Sequence, residues 1–138
     1  MLWGDWIGKS NIILKNTWDH SKKNKNKKAI YILLTPKIEI FQSLFFEKNK
    51  GEYKLNKTRI KRWKELDIID LDKFNVIDCI NDKSKDITFT SKKHNLMIIN
   101  VQFFESLYKG DIFDDYLDDI AMITIDESHC ITGDKLYG

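Results

Sequence analysis

Two short segments carry residues suited to chemistry on phosphates. In WGDWIGKSNIIL (Trp3–Leu14), Gly8, Lys9 and Ser10 stand directly before a helical-looking stretch, Asn11–Lys15. Small residues let backbone N–H groups and a helix N-terminus cradle an anion; Lys9 would reach terminal phosphates and the Ser10 hydroxyl would ligate Mg²⁺. The usual spacing is G-x-x-x-x-G-K-[ST]. Here Gly4 and Gly8 are one residue too close, and Asp5, Trp6 and Ile7 replace small residues. In MITIDESHCITG (Met122–Gly133), an apolar strand ends abruptly in Asp126 and Glu127. The carboxyl edge of a strand is where α/β sheets place ligand chemistry. Asp126 could hold Mg²⁺ through water, Glu127 could orient or deprotonate an attacking water, and His129 could sense a terminal phosphate. The bland alternative is an acidic turn with a surface histidine. A metal cluster of Asp126, Glu127, His129 and Cys130 is disfavoured, because metal ligands must converge from one face or from distant segments. Together the two segments describe the ATPase half-site of a P-loop NTPase.

Both segments need a sheet to hold them. AIYILLT (Ala29–Thr35), stopped by Pro36, and LMII inside HNLMIINVQ (His94–Gln102) are continuous apolar runs of strand length. Such runs suit strands covered on both faces, as in parallel sheets. IAMITID (Ile120–Asp126) reads the same way, and NVIDCI (Asn75–Ile80) is a shorter strand. Between them, Ile38, Phe41, Leu44 and Phe45 recur at helical spacing within Ile38–Lys48. KTRIKRWKEL (Lys57–Leu66) and FFESLYKG, ending at Gly110, read as further helices. DIFDDYLDD (Asp111–Asp119) places Ile112, Phe113, Tyr116 and Leu117 on one helical face, and SKKNKNKK (Ser21–Lys28) reads as an exposed loop. Strands alternating with helices predict an α/β fold with a mostly parallel sheet flanked by helices, in one domain spanning 1–138.

Composition narrows the class. The 138 residues are 42% hydrophobic and 32% charged with a single Pro, which excludes collagen-like and wholly disordered chains. No apolar run approaches the ~20 residues a membrane span requires. The N-terminus lacks a signal-peptide pattern, and two cysteines cannot make a disulfide framework, so an intracellular, cytoplasmic setting is expected. The net charge of +2 conceals a division: residues 1–65 hold 16 basic and 6 acidic residues, and the remainder is acidic. A basic half could grip a polyanion. Ile, Lys and Asn are also the residues an A+T-rich genome overproduces, so lysine abundance alone says little.

The motifs resemble a known family. IDESHCITG looks like the DExH box of superfamily 2 helicases and translocases, and WGDWIGKS resembles a variant of their first motif. LLTPKIEIFQSLF (Leu33–Phe45) is similar to the next motif, where a strand ends in Thr-Pro before a helix. The nearest flavour is the restriction-subunit-like helicases of large DNA viruses, with RecQ-type enzymes second. The resemblance runs from Gly4 to Gly133 in the family's order. It implies a partial RecA-like P-loop NTPase domain that uses ATP and Mg²⁺ and acts on DNA or RNA.

Residue by residue, the resemblance implies nucleotide binding by Gly4, Gly8, Lys9 and Ser10, and Mg²⁺ at Ser10 and Asp126. Glu127 would be the catalytic base, and His129 would couple hydrolysis to movement. Thr35 and Pro36 would lie near the nucleic-acid backbone, although a strand-terminal hydroxyl such as that of Thr35 can equally cap the following helix. Phe103 and Phe104 could stack on bases, or fill a core. A separately encoded second RecA-like domain would be the partner, and the viral flavour adds a replication site or virion as a setting. The chain alone is expected to be an incomplete motor. Two other readings stay open: a non-catalytic helicase remnant that binds nucleic acid or a partner protein through the basic half, and a P-loop kinase or GTPase.

Overall fold

A computed structural model describes residues 2–26, 28–84 and 86–126, with side chains from Ser10 onward. A long helix α1 (Leu2–Lys23) leads into β1 (Ile30–Thr35), α2 (Ile38–Phe45) and a hairpin of β2 (Phe46–Asn49) and β3 (Glu52–Leu55). Helix α3 (Lys57–Glu65), β4 (Phe74–Cys79), β5 (His94–Asn100), α4 (Val101–Lys109) and β6 (Ile120–Ile125) follow. Strands β4, β5, β1 and β6 lie in that order in an all-parallel four-stranded sheet. Among the described residues no helix is long and apolar enough to cross a membrane.

The apolar runs of β1 and β5 are buried on both faces because helices cover both. Tyr31 and Leu33, with Leu96 and Ile98, point to one side and pack with Leu14 of α1, Phe41 and Phe45 of α2 and Trp63 of α3. Ile30, Ile32 and Leu34, with Met97 and Ile99, point to the other and meet Leu107 of α4 and Phe113. Side-chain alternation along a strand makes this two-faced packing possible. At the amino edge, fully buried Asn95 accepts from Thr90 N–H at 2.9 Å and donates to Thr90 O at 3.0 Å, holding the entry loop to the sheet.

Four expectations are corrected. The first concerns Gly4–Ser10, read as a phosphate loop; α1 is already helical from Leu2. Among its described side chains, Ser10, Leu14, Thr17 and Ser21 are the buried positions, a stripe at spacings of four and three that faces the sheet. Once that stripe is helical, each residue added toward the N-terminus gains a hydrogen bond without a new nucleus. The same helix takes up the start of the predicted Ser21–Lys28 loop.

The second is the helix predicted to run to Lys48, which stops at Phe45 and gives way to the β2–β3 hairpin. Lys50 and Gly51, both at positive φ (52° and 84°), make its two-residue turn. Such a turn matches the twist of the strands it joins.

The third is Asp111–Asp119, where a turn and a 3₁₀ segment (Asp114–Asp119) replace the α-helix and leave Leu117 exposed. Aspartates four apart, such as Asp114 and Asp118, repel along an α-helix face. The fourth is β6, which among the described residues stands at the edge of the sheet rather than buried within it, with Ile123 and Ile125 49% and 44% exposed.

Beneath α1 lies a polar aromatic cluster. The Tyr31 hydroxyl is 2.8 Å from His20 Nδ1 and accepts from Asn24 Nδ2 at 3.2 Å. The ring of His94 meets that of Tyr31 edge-on, with centroids 5.6 Å apart. Its Nδ1 is buried without a hydrogen-bond partner among the described residues. Burial holds the His94 pKa below its ordinary 6.5, the nearby His20 adds to that, and backbone groups of Ser21 and Asn24 oppose it. The fold therefore favours neutral His94. Its contribution is complete above the unfolded value and is lost as pH falls from 6.5 toward the lower folded value. Urea titrations should show stability declining in that window, and His94→Gln should flatten the decline; an unchanged pH profile in that variant would assign the effect to another group.

Candidate functional site

The four parallel strands end on one edge, at Cys79, Asn100, Thr35 and Ile125. Thr35 is level with Asn100, and Leu34 with Ile125. The Asp126 N–H donates to Leu34 O at 2.8 Å, so pairing continues one residue past β6. From β1 the chain crosses to β4 on one side, returns through β5, and places β6 on the other side. Such a reversal opens a crevice outside the carboxyl ends, the place where open α/β sheets bind ligands. Here that crevice lies beside Thr35 and Asp126.

Helix α1 brings Ser10 to the same place. Ser10 and Asp126 line one small pocket with Ile13, Leu14, Leu33, Phe41, Leu44 and Phe45, and each of the two is only 2% exposed. A hydroxyl and a carboxylate are hard oxygen donors, the chemistry that suits Mg²⁺. The donor types are those such a cation takes, while the rest of the pocket wall, Ile13, Leu14, Leu33, Phe41, Leu44 and Phe45, is apolar. The backbone before them does not form a phosphate cradle, because N–H groups inside a helix point along its axis to the preceding turn. Gly4, Gly8 and Lys9 lie within α1. The Lys9 side chain, and Glu127, His129 and Cys130 as whole residues, lie outside the described part of the structure.

Thr35 is fully buried, and its hydroxyl donates to Lys37 O at 2.9 Å and accepts from Lys37 N–H at 3.4 Å. That hydroxyl organises the turn through half-buried Pro36 into α2. Phe103 and Phe104 are half-buried against the core of the second face, with Phe104 at 5.3 Å from Phe113. Packing accounts for both.

Six further polar residues at this edge escaped sequence reasoning. Lys83 Nζ donates to Asn100 Oδ1, and Asn100 Nδ2 donates to Gln102 Oε1 at 3.2 Å. Gln42 of α2 donates to Asn81 Oδ1 at 3.1 Å, and Asp78 Oδ1 accepts the N–H groups of Ile80 and Asn81. The Lys83 ammonium sits 5.0 Å from the centroid of the Phe103 ring. Burial lowers its pKa below the ordinary lysine value, while Cys79 and Asp78 pull the other way. A partly desolvated ammonium held at the carboxyl edge can meet an anionic ligand there. The legible signal was Asn100 itself, a polar residue where an apolar strand ends, as at Thr35 and Asp126.

Comparison of the chain with protein-family models, curated proteins and solved structures finds no match. The architecture and the site thus rest on the geometry just described: an α/β fold with an all-parallel sheet, helices on both faces and a polar carboxyl edge.

Proposed function

We propose that the chain is the ATP-binding motor-domain portion of a DExH-type superfamily 2 helicase or translocase, built on a partial RecA-like P-loop NTPase fold. One observation carries the reading. Ser10 and Asp126, the two residues whose sequence contexts point to the same Mg²⁺ ion, are distant in the chain yet line one pocket. That pocket lies at the carboxyl edge, next to the strand ending in Thr35 and Pro36.

In this reading Ser10 and Asp126 hold Mg²⁺, which would neutralise charge developing on the transferred phosphoryl group. Lys9 would reach the phosphates once the first turns of α1, which run through Gly4 and Gly8, unwind. Glu127 takes the proton of the attacking water, and His129 links that step to nucleic acid. The apolar walls from Leu14, Leu33, Phe41 and Phe45 exclude bulk water from the donors, which strengthens electrostatic interactions inside the site. DNA or RNA is the track, and a second RecA-like domain completes the motor.

The test is titration of the chain with Mg-ATP. Binding that Lys9→Ala weakens at least tenfold is the expected outcome. No Mg-ATP binding by the parent chain would sink the motor reading.

One observation favours a second reading, a non-catalytic remnant that binds nucleic acid through its basic half. Helix α1 runs through Gly8–Ser10, where a functioning loop would have to unwind its first turns. Nucleic-acid binding without any nucleotide binding, unchanged by Lys9→Ala, would select this reading.

A further inference from the structure

The basic residues are not spread evenly over the surface. Lys15 and Lys22 reach Asp19 and Asp67, Lys64 reaches Asp72, and Lys109 reaches Glu105. By contrast, Lys48, Lys50, Lys54, Lys57, Lys61 and Arg62 have no carboxylate within 4.0 Å among the described residues. All six are exposed and belong to the β2–β3 hairpin and to α3, joined through Asn56 alone. Genome composition can explain how many lysines the chain has. It does not explain why six such cations fall within residues 48–62, on one hairpin and the helix that leaves it, while others without a carboxylate in reach, such as Lys23, Lys37, Lys73 and Lys92, are scattered along the rest of the described chain.

This module is anchored. Trp63 is 5% exposed and packs on Phe45 with ring centroids 5.6 Å apart. The Arg59 guanidinium donates to the Ser43 and Leu44 carbonyls, satisfying the last turn of α2. Asn56 caps the start of α3 by accepting from Arg59 N–H at 3.0 Å. On the outer side of α3, Lys57, Lys61 and Lys64 follow at spacings of four and three, one face of a helix. The two large apolar side chains of this helix, Ile60 and Trp63, turn to the core. A membrane-surface helix would need such residues on its exposed side.

We propose that the β2–β3 hairpin and α3 form a grip for the phosphate backbone of nucleic acid. The proposal deepens the nucleic-acid side of the reading above and requires no nucleotide, so failure of Mg-ATP binding leaves it standing. Six cations released from counterion balance give a slope of log affinity against log salt near ~−4 for single strands and ~−5 for duplex.

The experiment uses fluorescence polarisation with a labelled 20-nucleotide single strand and the matching duplex, on the whole chain, between 50 and 200 mM salt. Three variants are compared with the parent: Lys48→Gln/Lys50→Gln/Lys54→Gln, Lys57→Gln/Lys61→Gln/Arg62→Gln, and Lys23→Gln/Lys25→Gln/Lys28→Gln. The third removes the same charge from exposed lysines elsewhere. Circular dichroism melts verify that each variant folds. The expected result is at least a tenfold loss and a shallower salt slope, by about 2 to 3, in each of the first two, with the third near the parent. Equal loss in all three would make the attraction diffuse and overturn the proposal. So would no measurable binding by the parent at 50 mM salt, or equally tight binding of poly-glutamate, which would assign the surface to acidic protein instead.

Discussion

Phe45→Ala is expected to lower the unfolding free energy by about 3–5 kcal/mol, the usual cost of emptying an aromatic site in a core. Phe45 is 1% exposed and meets Phe41, Phe46 and Trp63 with ring centroids 5.2, 6.5 and 5.6 Å away. It thus joins α2, the hairpin and α3, and also walls the pocket of Ser10 and Asp126. Its loss should loosen the basic module and the candidate site together. The control is Tyr53→Ala at the exposed hairpin, where the change should stay within about 0.5 kcal/mol. Urea unfolding of the three proteins measures both values. A Phe45→Ala loss no larger than the Tyr53→Ala change would contradict the packing of α3 on α2.

Asp126→Asn is expected to weaken Mg²⁺-dependent nucleotide binding by about 10–100-fold, the range for carboxylates that hold a metal through an intervening group. The substitution keeps size and leaves the backbone N–H that donates to Leu34 O, so the strand end should persist. Calorimetric titration of ATP with Mg²⁺ and with EDTA separates the metal's part from the nucleotide's. Equal affinity of variant and parent in Mg²⁺ would move the cation away from the Ser10–Asp126 pocket. Because Phe45→Ala acts on stability and Asp126→Asn on the metal, the pair also distinguishes a collapsed pocket from an intact one that has lost its charge.

Much of the framework was legible because it depends on neighbours in the chain. The runs at Ile30–Thr35 and His94–Asn100 became central strands, since an unbroken apolar stretch of that length can be buried only when both faces are covered. Helices α3 and α4 followed their periodicity, and α4 stopped at Gly110 as its composition implies. The hairpin was missed although Asn49-Lys50-Gly51-Glu52 carries a turn signal; the preceding apolar residues at helical spacing masked it. The aspartate-rich segment misled for the opposite reason. Its apolar residues fit a helix face while its like charges oppose one.

The site divides along the same line. The residue types at Ser10 and Asp126, the strand-ending positions of Thr35 and Asp126, and the basic character of residues 47–65 were determined by the sequence alone. Tertiary structure decided that Ser10 and Asp126 line one pocket, that Gly8 and Lys9 belong to a helix, and that Lys83 joins Asn100 at the same edge. The reason is physical. Periodicity and turn chemistry act over a few residues, whereas the order β4-β5-β1-β6 and the docking of α1 depend on which distant surfaces bury the most apolar area together.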